Sequence, residues 1–364
     1  MKKRWPWCSA AVVLALGCGE QAATNSAEAR PQEQPELLPI TEGSVVCYNV
    51  ENLFDTQDAT NVRGDEEYTT NGELQWTEDR YRTKLEHLAQ AIASASPQLP
   101  LVIGLVEVEN AQVCLDLIAT PPLDQGNYIL EHFDSPDERG IDVALLVQEG
   151  PYVFPDHAEA LTVKLPGDAT RDVLYARLQL AGGEALHVFV NHWPSRREGI
   201  QESEPKRMRA SSVVRDKVDG ILATDPQARI IVMGDMNDTP LDRSIREGLS
   251  AALDTTSHDH DLYDLVAMDR QRPSGSHQFD GEWSYLDHMI VSRGLLWPNE
   301  GVRAIDAHAV RSSFLLFDHP RFGPSPNRTY GGRGKYHGGY SDHLPVVLML
   351  RGNEEAPVGD QGFH

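Results

Sequence analysis

The stretch Arg229-Ile230-Ile231-Val232-Met233-Gly234-Asp235-Met236-Asn237-Asp238 decides how this chain is read. Four consecutive apolar residues, three of them β-branched, lack the alternation of a half-solvated strand and fit one buried on both faces. The run ends abruptly in two carboxylates and an amide. Taken alone, Asp235 to Asp238 is an Asx-type turn. It is not an EF-hand loop, because Thr239-Pro240 stands where that loop needs a ligand and a glycine. Other apolar runs end the same way. Asn49 and Glu51 end the run 44–50, and Glu107, then Glu109 and Asn110, end 101–108. Asn191 and His192 end 185–191, Asp287 and His288 interrupt 285–291, and Asp342 and His343 precede 344–350. Strands that repeatedly terminate in carboxylates, amides and imidazoles predict one polar cleft along a sheet edge, where ligands of such folds collect.

Further strands are predicted at 140–147 and 172–180. Thr77 caps a predicted helix carrying Tyr81, Leu85, Leu88 and Ile92 on one stripe, with Glu78 and Asp79 in its first turn. A second helix starts near Ser203 and Pro205 and carries Val214, Val218, Ile221 and Leu222. A short third follows Thr239-Pro240, with proline at its first position. Loops are expected at 55–75, 149–168, 253–284 and 295–340. Irregular alternation of strands and helices gives an α/β or α+β class with mixed sheets.

Composition narrows the function. The 364 residues are 40% hydrophobic, enough for a sizeable core, and the formal net charge of −23 repels nucleic acid and anionic lipid at long range. This is not the make-up of a sequence-specific DNA binder. A polyanionic substrate needs a local positive site, supplied by a metal or by arginines.

The first 18 residues read as a signal peptide: Lys2, Lys3 and Arg4 precede an apolar run from Trp5 to Leu16, then Gly17-Cys18. A small residue before Cys18 resembles a lipoprotein processing site, which makes Cys18 a lipid-carrying first residue, although Ala15 stands where leucine is usual. Residues 19–42, rich in Glu, Gln, Ala and Pro, read as a disordered tether, and 353–364 as a tail. The expected product is an exported monomer, either a cell-envelope lipoprotein of the outer membrane or a secreted protein, touching membrane only through that anchor. Of the cysteines beyond the signal, Cys47 and Cys114 lie in apolar contexts and read as buried thiols, with a bridge the weaker alternative.

Seven segments carry a resemblance: Tyr48–Asp55, Gly104–Asn110, Arg139–Leu146, Asn191–Arg197, Gly234–Asp238, Tyr285–His288 and Gly338–Val346. Together they resemble the endonuclease/exonuclease/phosphatase superfamily, of DNase I-like fold, most closely its secreted bacterial nuclease-like branch, over residues 43–352. The resemblance implies a four-layer αββα sandwich of two packed mixed sheets and a divalent-metal-dependent phosphoesterase. It assigns metal binding to Glu107, with Asn49 beside it, and places Asp342 near the metal's water shell. It pairs Asp287 with His343, gives Asp235 and Asn237 the nucleophilic water and a phosphoryl oxygen, and makes His192 the second histidine. Which carboxylate is the base, Asp235 or the dyad's, stays open. Arg139 and Arg196 are the expected phosphate contacts.

The chemistry agrees with these residue types. A phosphodiester under attack gathers negative charge, which a hard cation held by carboxylate and amide oxygens neutralises, so Mg²⁺ (or Mn²⁺ or Ca²⁺) is expected. No Ser or Cys nucleophile motif and no Walker loop is present, which favours direct attack by water. The substrate expected is a phosphodiester, nucleic acid first; a phosphomonoester or a lipid phosphodiester of the sphingomyelinase kind is the alternative. A non-catalytic surface lipoprotein would show eroded site positions, and none is eroded.

Overall fold

The computed structural model describes residues 37–59 and 64–352. The expected signal peptide, Cys18, most of the tether and the tail lie outside them. The end of the tether belongs to the folded body: Leu38 N donates to Pro151 O at 2.5 Å, and Ile40 is buried in the core.

Two mixed sheets form the centre. In the six-stranded sheet the order is Val302–Ala309, Val346–Gly352, Glu42–Leu53, Val102–Val108, Asp142–Gln148, Tyr128–His132. In the seven-stranded sheet it is Val153–Leu161, Val173–Leu180, Ala185–His192, Arg229–Asp235, Asp287–Ser292, Leu262–Asp264, Ala251–Ala252. One apolar core, including Val46, Ile103, Leu145, Val190, Met233 and Met289, fills the space between the sheets. Gly104 lets them close: a Cβ there would sit 2.6 Å from Met233 Cε. A second core packs helix Ile200–Thr224, through Val214 and Val218, on the outer face of the seven-stranded sheet, against Ile230 and Val232. Helix Glu78–Ala93 packs Leu85, Leu88 and Ile92 on the first core, with Thr77 accepting from Arg80 N at its start. The αββα architecture expected is the one observed.

All eight predicted strands are present. The strands missing from the sequence reading include every edge of both sheets: Tyr128–His132, Val302–Ala309, Val153–Leu161 and Ala251–Ala252. An edge strand is wetted on its free side and lacks a continuous apolar run, and Pro155 inside one of them is tolerated only at an edge. Val153–Leu161 and Val302–Ala309 therefore fall within the expected loops 149–168 and 295–340, as the short inner strand Leu262–Asp264 does within 253–284, while Tyr128–His132 and Ala251–Ala252 fall in stretches with no predicted element. Helix Ala111–Ile118 was also missed; Asn110, read as part of the polar cleft, caps it by accepting from Val113 N at 3.1 Å. After Thr239-Pro240 the chain forms not an ordinary short helix but a single π turn, Ser244–Gly248. Cys47 and Cys114 are buried free thiols. Among the described residues no helix is long and apolar enough to cross a membrane.

Gly234, the residue before the end of the central strand, has φ at 141°, and a Cβ there would overlap the Asn191 carbonyl of the neighbouring strand. Gly234→Ala should cost about 2–4 kcal/mol in denaturant unfolding, because it combines backbone strain with overpacking. A cost near zero would mean that this strand end is not held as described.

Candidate active site

The strand ends meet. Asp287 opens strand Asp287–Ser292 and lies in register with Asp235, which closes Arg229–Asp235, which in turn lies beside His192. On the facing sheet, strand Glu42–Leu53 brings Asn49 and strand Val102–Val108 brings Glu107. Both strands lose regular register there, and Glu51, Asn52 and Glu107 adopt positive φ of 52°, 55° and 68°. Such backbone is costly for residues other than glycine, and bulges re-aim side chains. Here the left-handed turn at Glu51-Asn52 presents Asn52 N to Glu107 Oε2 at 3.1 Å.

The dyad is formed. His343 Nδ1 lies 2.6 Å from Asp287 Oδ2, which also accepts from Ser276 Oγ at 2.6 Å. The other ring nitrogen, Nε2, lies 3.8 Å from Asp235 Oδ2. Asn49 Nδ2 donates to that same oxygen at 3.0 Å, and Asn237 N donates to Asp235 Oδ1 at 2.9 Å. His192 Nε2 stands 3.7 Å from Glu107 Oε1, and its buried Nδ1 has no hydrogen-bond partner among the described residues. Asn237 Nδ2 is turned to Trp193 O, at 3.0 Å. Asp342 accepts from Arg328 Nη2 at 2.8 Å and gathers with His277 and His343 so closely that one ligand atom from each lies within 4.8 Å of the others.

The electrostatics follow from burial and pairing. Burial would lower the His343 imidazole, but Asp287 and Asp235 raise it well above 6.5. Burial would raise Asp287; His343, through its charge and hydrogen bond, and Ser276 bring it below its ordinary value. Asp235 is pushed up to about 7 by burial, with His343 opposing the rise and Asp287 and Glu107 adding to it. Burial, aided by Arg171 and Arg139, holds His192 well below 6.5, so it is a neutral imidazole. Burial, aided by the His343 charge, likewise lowers His277 to about 4, so the site contains one imidazolium, two neutral imidazoles and, in Asp235, a carboxylate poised near neutrality.

The arginines divide. Arg139 is 39% exposed and is held loosely, its Nε 3.7 Å from Asp137 Oδ1. Arg196 is 24% exposed and engaged: Nε donates to Asn237 O, and Nη2 to Asp238 Oδ1 at 3.0 Å and Asp242 Oδ2 at 2.6 Å. It braces the Asp235–Asp238 turn.

Several polar groups escaped the sequence reading. Buried Arg171 bonds Asp137 at 2.8 Å and Trp193 O at 2.7 Å, linking the Arg139 loop to the His192 turn. Ser276 and His277 arrive on a segment read as loop, and the His277 ring lies 4.7 Å from that of His343. Lys84 is fully buried; its signal was present, a charged residue inside the apolar stripe of the first helix. His288, adjacent to the dyad, is structural: it bridges Asp264 and Asp238 O, both at 2.8 Å.

Convergent carboxylates, amides and imidazoles, with no cysteine or hydroxyl group among Asn49, Glu107, His192, Asp235, Asn237, Asp287 and His343, suit the hydrolysis of phosphoester bonds. The chain belongs to the Endonuclease/Exonuclease/phosphatase family, whose model matches residues 44–352. Solved structures share its fold at low identity. A mannosyl-6-phosphatase from Bacteroides thetaiotaomicron is 15% identical, with 85% of this chain and 99% of that one covered, at a TM-score of 0.53. The catalytic domain of human nocturnin, solved with a sulfate anion, is 14% identical over 87% and 97%, at 0.52. TDP2 of D. rerio, solved with a single-strand DNA product, is 15% identical over 85% and 99%, at 0.51. A comparison with curated proteins returned no match.

The dyad sets a stability test with a definite sign. A raised histidine contributes stability that is full below its unfolded value near 6.5 and is lost as pH rises through the folded value; a depressed aspartate contributes stability that is full above about 3.9 and is lost as pH falls through its folded value. In metal-free protein the His343 ring should titrate well above 6.5 by NMR and fall markedly in Asp287→Asn. Asp287→Asn and His343→Ala should each lower turnover by about 10²–10⁴-fold, and together by little more, because the two act as a unit. Additive losses would contradict a dyad.

Proposed function

We propose that this chain is an exported, divalent-cation-dependent phosphodiesterase that hydrolyses nucleic acid by direct attack of water. One observation carries the reading: an imidazolium, His343, is fixed between Asp287 and a carboxylate of raised pKa, Asp235, with a neutral imidazole, His192, beside Glu107. The single-strand DNA product in a structure of the same fold supports the choice of nucleic acid.

The residues fit a hard cation. Glu107 Oε1 accepts no hydrogen bond among the described residues, Asn49 lies on the neighbouring strand in register with Val106, its amide oxygen accepting from Glu51 N at 3.0 Å, and Glu107 adds to the charge that raises Asp235. Oxygen donors with excess negative charge suit Mg²⁺, Mn²⁺ or Ca²⁺ rather than zinc. Glu107 and Asn49 would hold the ion, with Asp342 near its waters. Bound there, it would neutralise charge developing on the phosphoryl and leaving oxygens.

The protein's own groups supply the rest. Asp235 takes the proton of the attacking water as oxygen bonds to phosphorus. The bond to the leaving oxygen breaks, and that oxygen takes a proton from the His343 imidazolium, whose charge Asp287 stabilises throughout. His192 donates a hydrogen bond to a phosphoryl oxygen, a contribution of about 2–4 kcal/mol in comparable sites. Arg139 holds the substrate phosphate.

The test is the folded domain assayed on plasmid, single-stranded DNA, RNA, sphingomyelin, and mono- and diester chromogens. Activity should be greatest on a nucleic acid, vanish with EDTA and return with Mg²⁺ or Mn²⁺. Glu107→Gln should abolish it without lowering the melting temperature. Full activity after exhaustive chelation would overturn the metal assignment, and preference for a monoester or for sphingomyelin would overturn the substrate assignment.

Export rests on residues 1–18, and we propose lipid attachment at Cys18. Cys18→Ser should move the protein out of the membrane fraction with no change in the activity of its soluble domain. Wild-type protein found free in the medium with an unmodified N-terminus would contradict the anchor.

A further inference from the structure

We propose that Arg328 is a substrate-binding residue of this site, a guanidinium held at the cleft by Glu51, Asp342 and a buried lysine clamp so that its free edge meets the phosphate. The inference rests on the phosphoesterase reading and adds a cation to it.

Arg328 lies on the segment 327–343, which also brings Asp342 and His343. Its Nη2 donates to Asp342 Oδ2 at 2.8 Å, and its Nε lies 3.5 Å from Glu51 Oε1. Nη1 has no hydrogen-bond partner among the described residues, and the side chain is 46% exposed. One edge of the fork is therefore fixed and the other is open, the arrangement in which a guanidinium binds a phosphate with two parallel donors at little further loss of freedom. Arg196 cannot do this as placed, because its donors go to Asn237 O and two carboxylates.

The fixing is built from unusual parts. Glu51 is buried, in left-handed backbone, and accepts from Thr329 N at 2.6 Å and Tyr330 N at 3.3 Å. Lys84, fully buried on the first helix, donates to Thr329 Oγ1 at 2.5 Å and Tyr340 O at 2.6 Å. Ser341 Oγ donates to Asn49 O at 2.7 Å. Glu51 and Ser341 thus pin the two limbs of the segment to the strand that carries Asn49, and the buried ammonium of Lys84 ties both limbs to the first helix. Burying such charges costs several kcal/mol each unless they are fully bonded, and replacing them by apolar groups is often harmless to stability. Their use here is the placement of what the segment carries. Glu51 and Lys84 are positioning residues for Arg328.

The test uses steady-state kinetics of the metal-loaded protein on a phosphodiester chromogen, with inorganic phosphate as competing ligand. Arg328→Gln should raise KM and the inhibition constant of phosphate together, by about 10- to 100-fold, with kcat within a few-fold and the melting temperature unchanged. Arg328→Lys should restore part of the loss. Lys84→Met should move KM and the phosphate constant in the same direction, and adding it to Arg328→Gln should cost little more. Unchanged KM in a folded Arg328→Gln protein, or a fall in kcat alone, would overturn the proposal; the latter would mean that Arg328 serves only to hold Asp342. If the wild-type protein cleaves no phosphoester, the functional reading fails; if it cleaves and Arg328→Gln behaves like wild type, only this inference does.

Discussion

The buried pair of Asp287 and His343 is the constraint around which the cleft is arranged. Asp287 belongs to the seven-stranded sheet, and His343 precedes the last strand of the six-stranded sheet, so their 2.6 Å contact joins the two halves of the sandwich at the edge where the chemistry lies. A carboxylate at the start of an apolar strand would be costly unpaired. The imidazolium relieves that cost and is in turn kept protonated by it. With Nδ1 committed, Nε2 can face only Asp235 and the space before it, which fixes the direction in which a proton can be given.

The remaining groups follow from how each sheet closes against this pair. The close approach permitted by Gly104 lets strand ends of both sheets reach the same space, and Gly234 lets the ends of two neighbouring strands of the seven-stranded sheet come together beside it. Irregular register at Asn49 and Glu107 turns side chains that regular pleating would bury, or point away, into the cleft. The protein carries a net charge of −23, yet Arg139, Arg171, Arg328, Lys84 and the imidazolium all gather around the cleft. On the proposed reading, a polyanion repelled at a distance would meet a local cluster of positive charge there, so local geometry rather than long-range steering would select what binds.

Much of this was legible in the sequence, for a physical reason. Central strands are apolar on both faces and end where the polar cleft begins, so runs such as Ile230–Met233 marked both the sheet and the positions of Asp235 and Asn237. The Asp287–His343 contact could be expected because Asp287 interrupts an apolar run and needs a partner. Edge strands were not legible: one side of each is wet, and Tyr128–His132 or Val302–Ala309 has no pattern distinguishable from a loop. Glu51 and Lys84 stood out in the sequence, but the partners of the supporting residues were hidden for a different reason. Ser276, Arg171, Glu51 and Lys84 act through contacts separated by as many as 279 positions, as from Glu51 to Tyr330, and no local pattern encodes a partner that distant. Arg196 looked like a phosphate ligand because a cation after a strand-end histidine is suggestive; its carboxylate partners, Asp238 and Asp242, became visible only in three dimensions.

On the proposed reading, one cleft holds a hard cation on the Glu107 side and a phosphoryl group between His192 and His343. A crystal structure of the domain grown with Mn²⁺ and inorganic phosphate, with anomalous scattering recorded at the manganese edge, tests this directly. The account predicts an anomalous peak coordinated by Glu107 and Asn49, with phosphate oxygens reached by His192 and by His343 Nε2. Manganese bound away from Glu107, or phosphate bound outside the reach of both histidines, would contradict it.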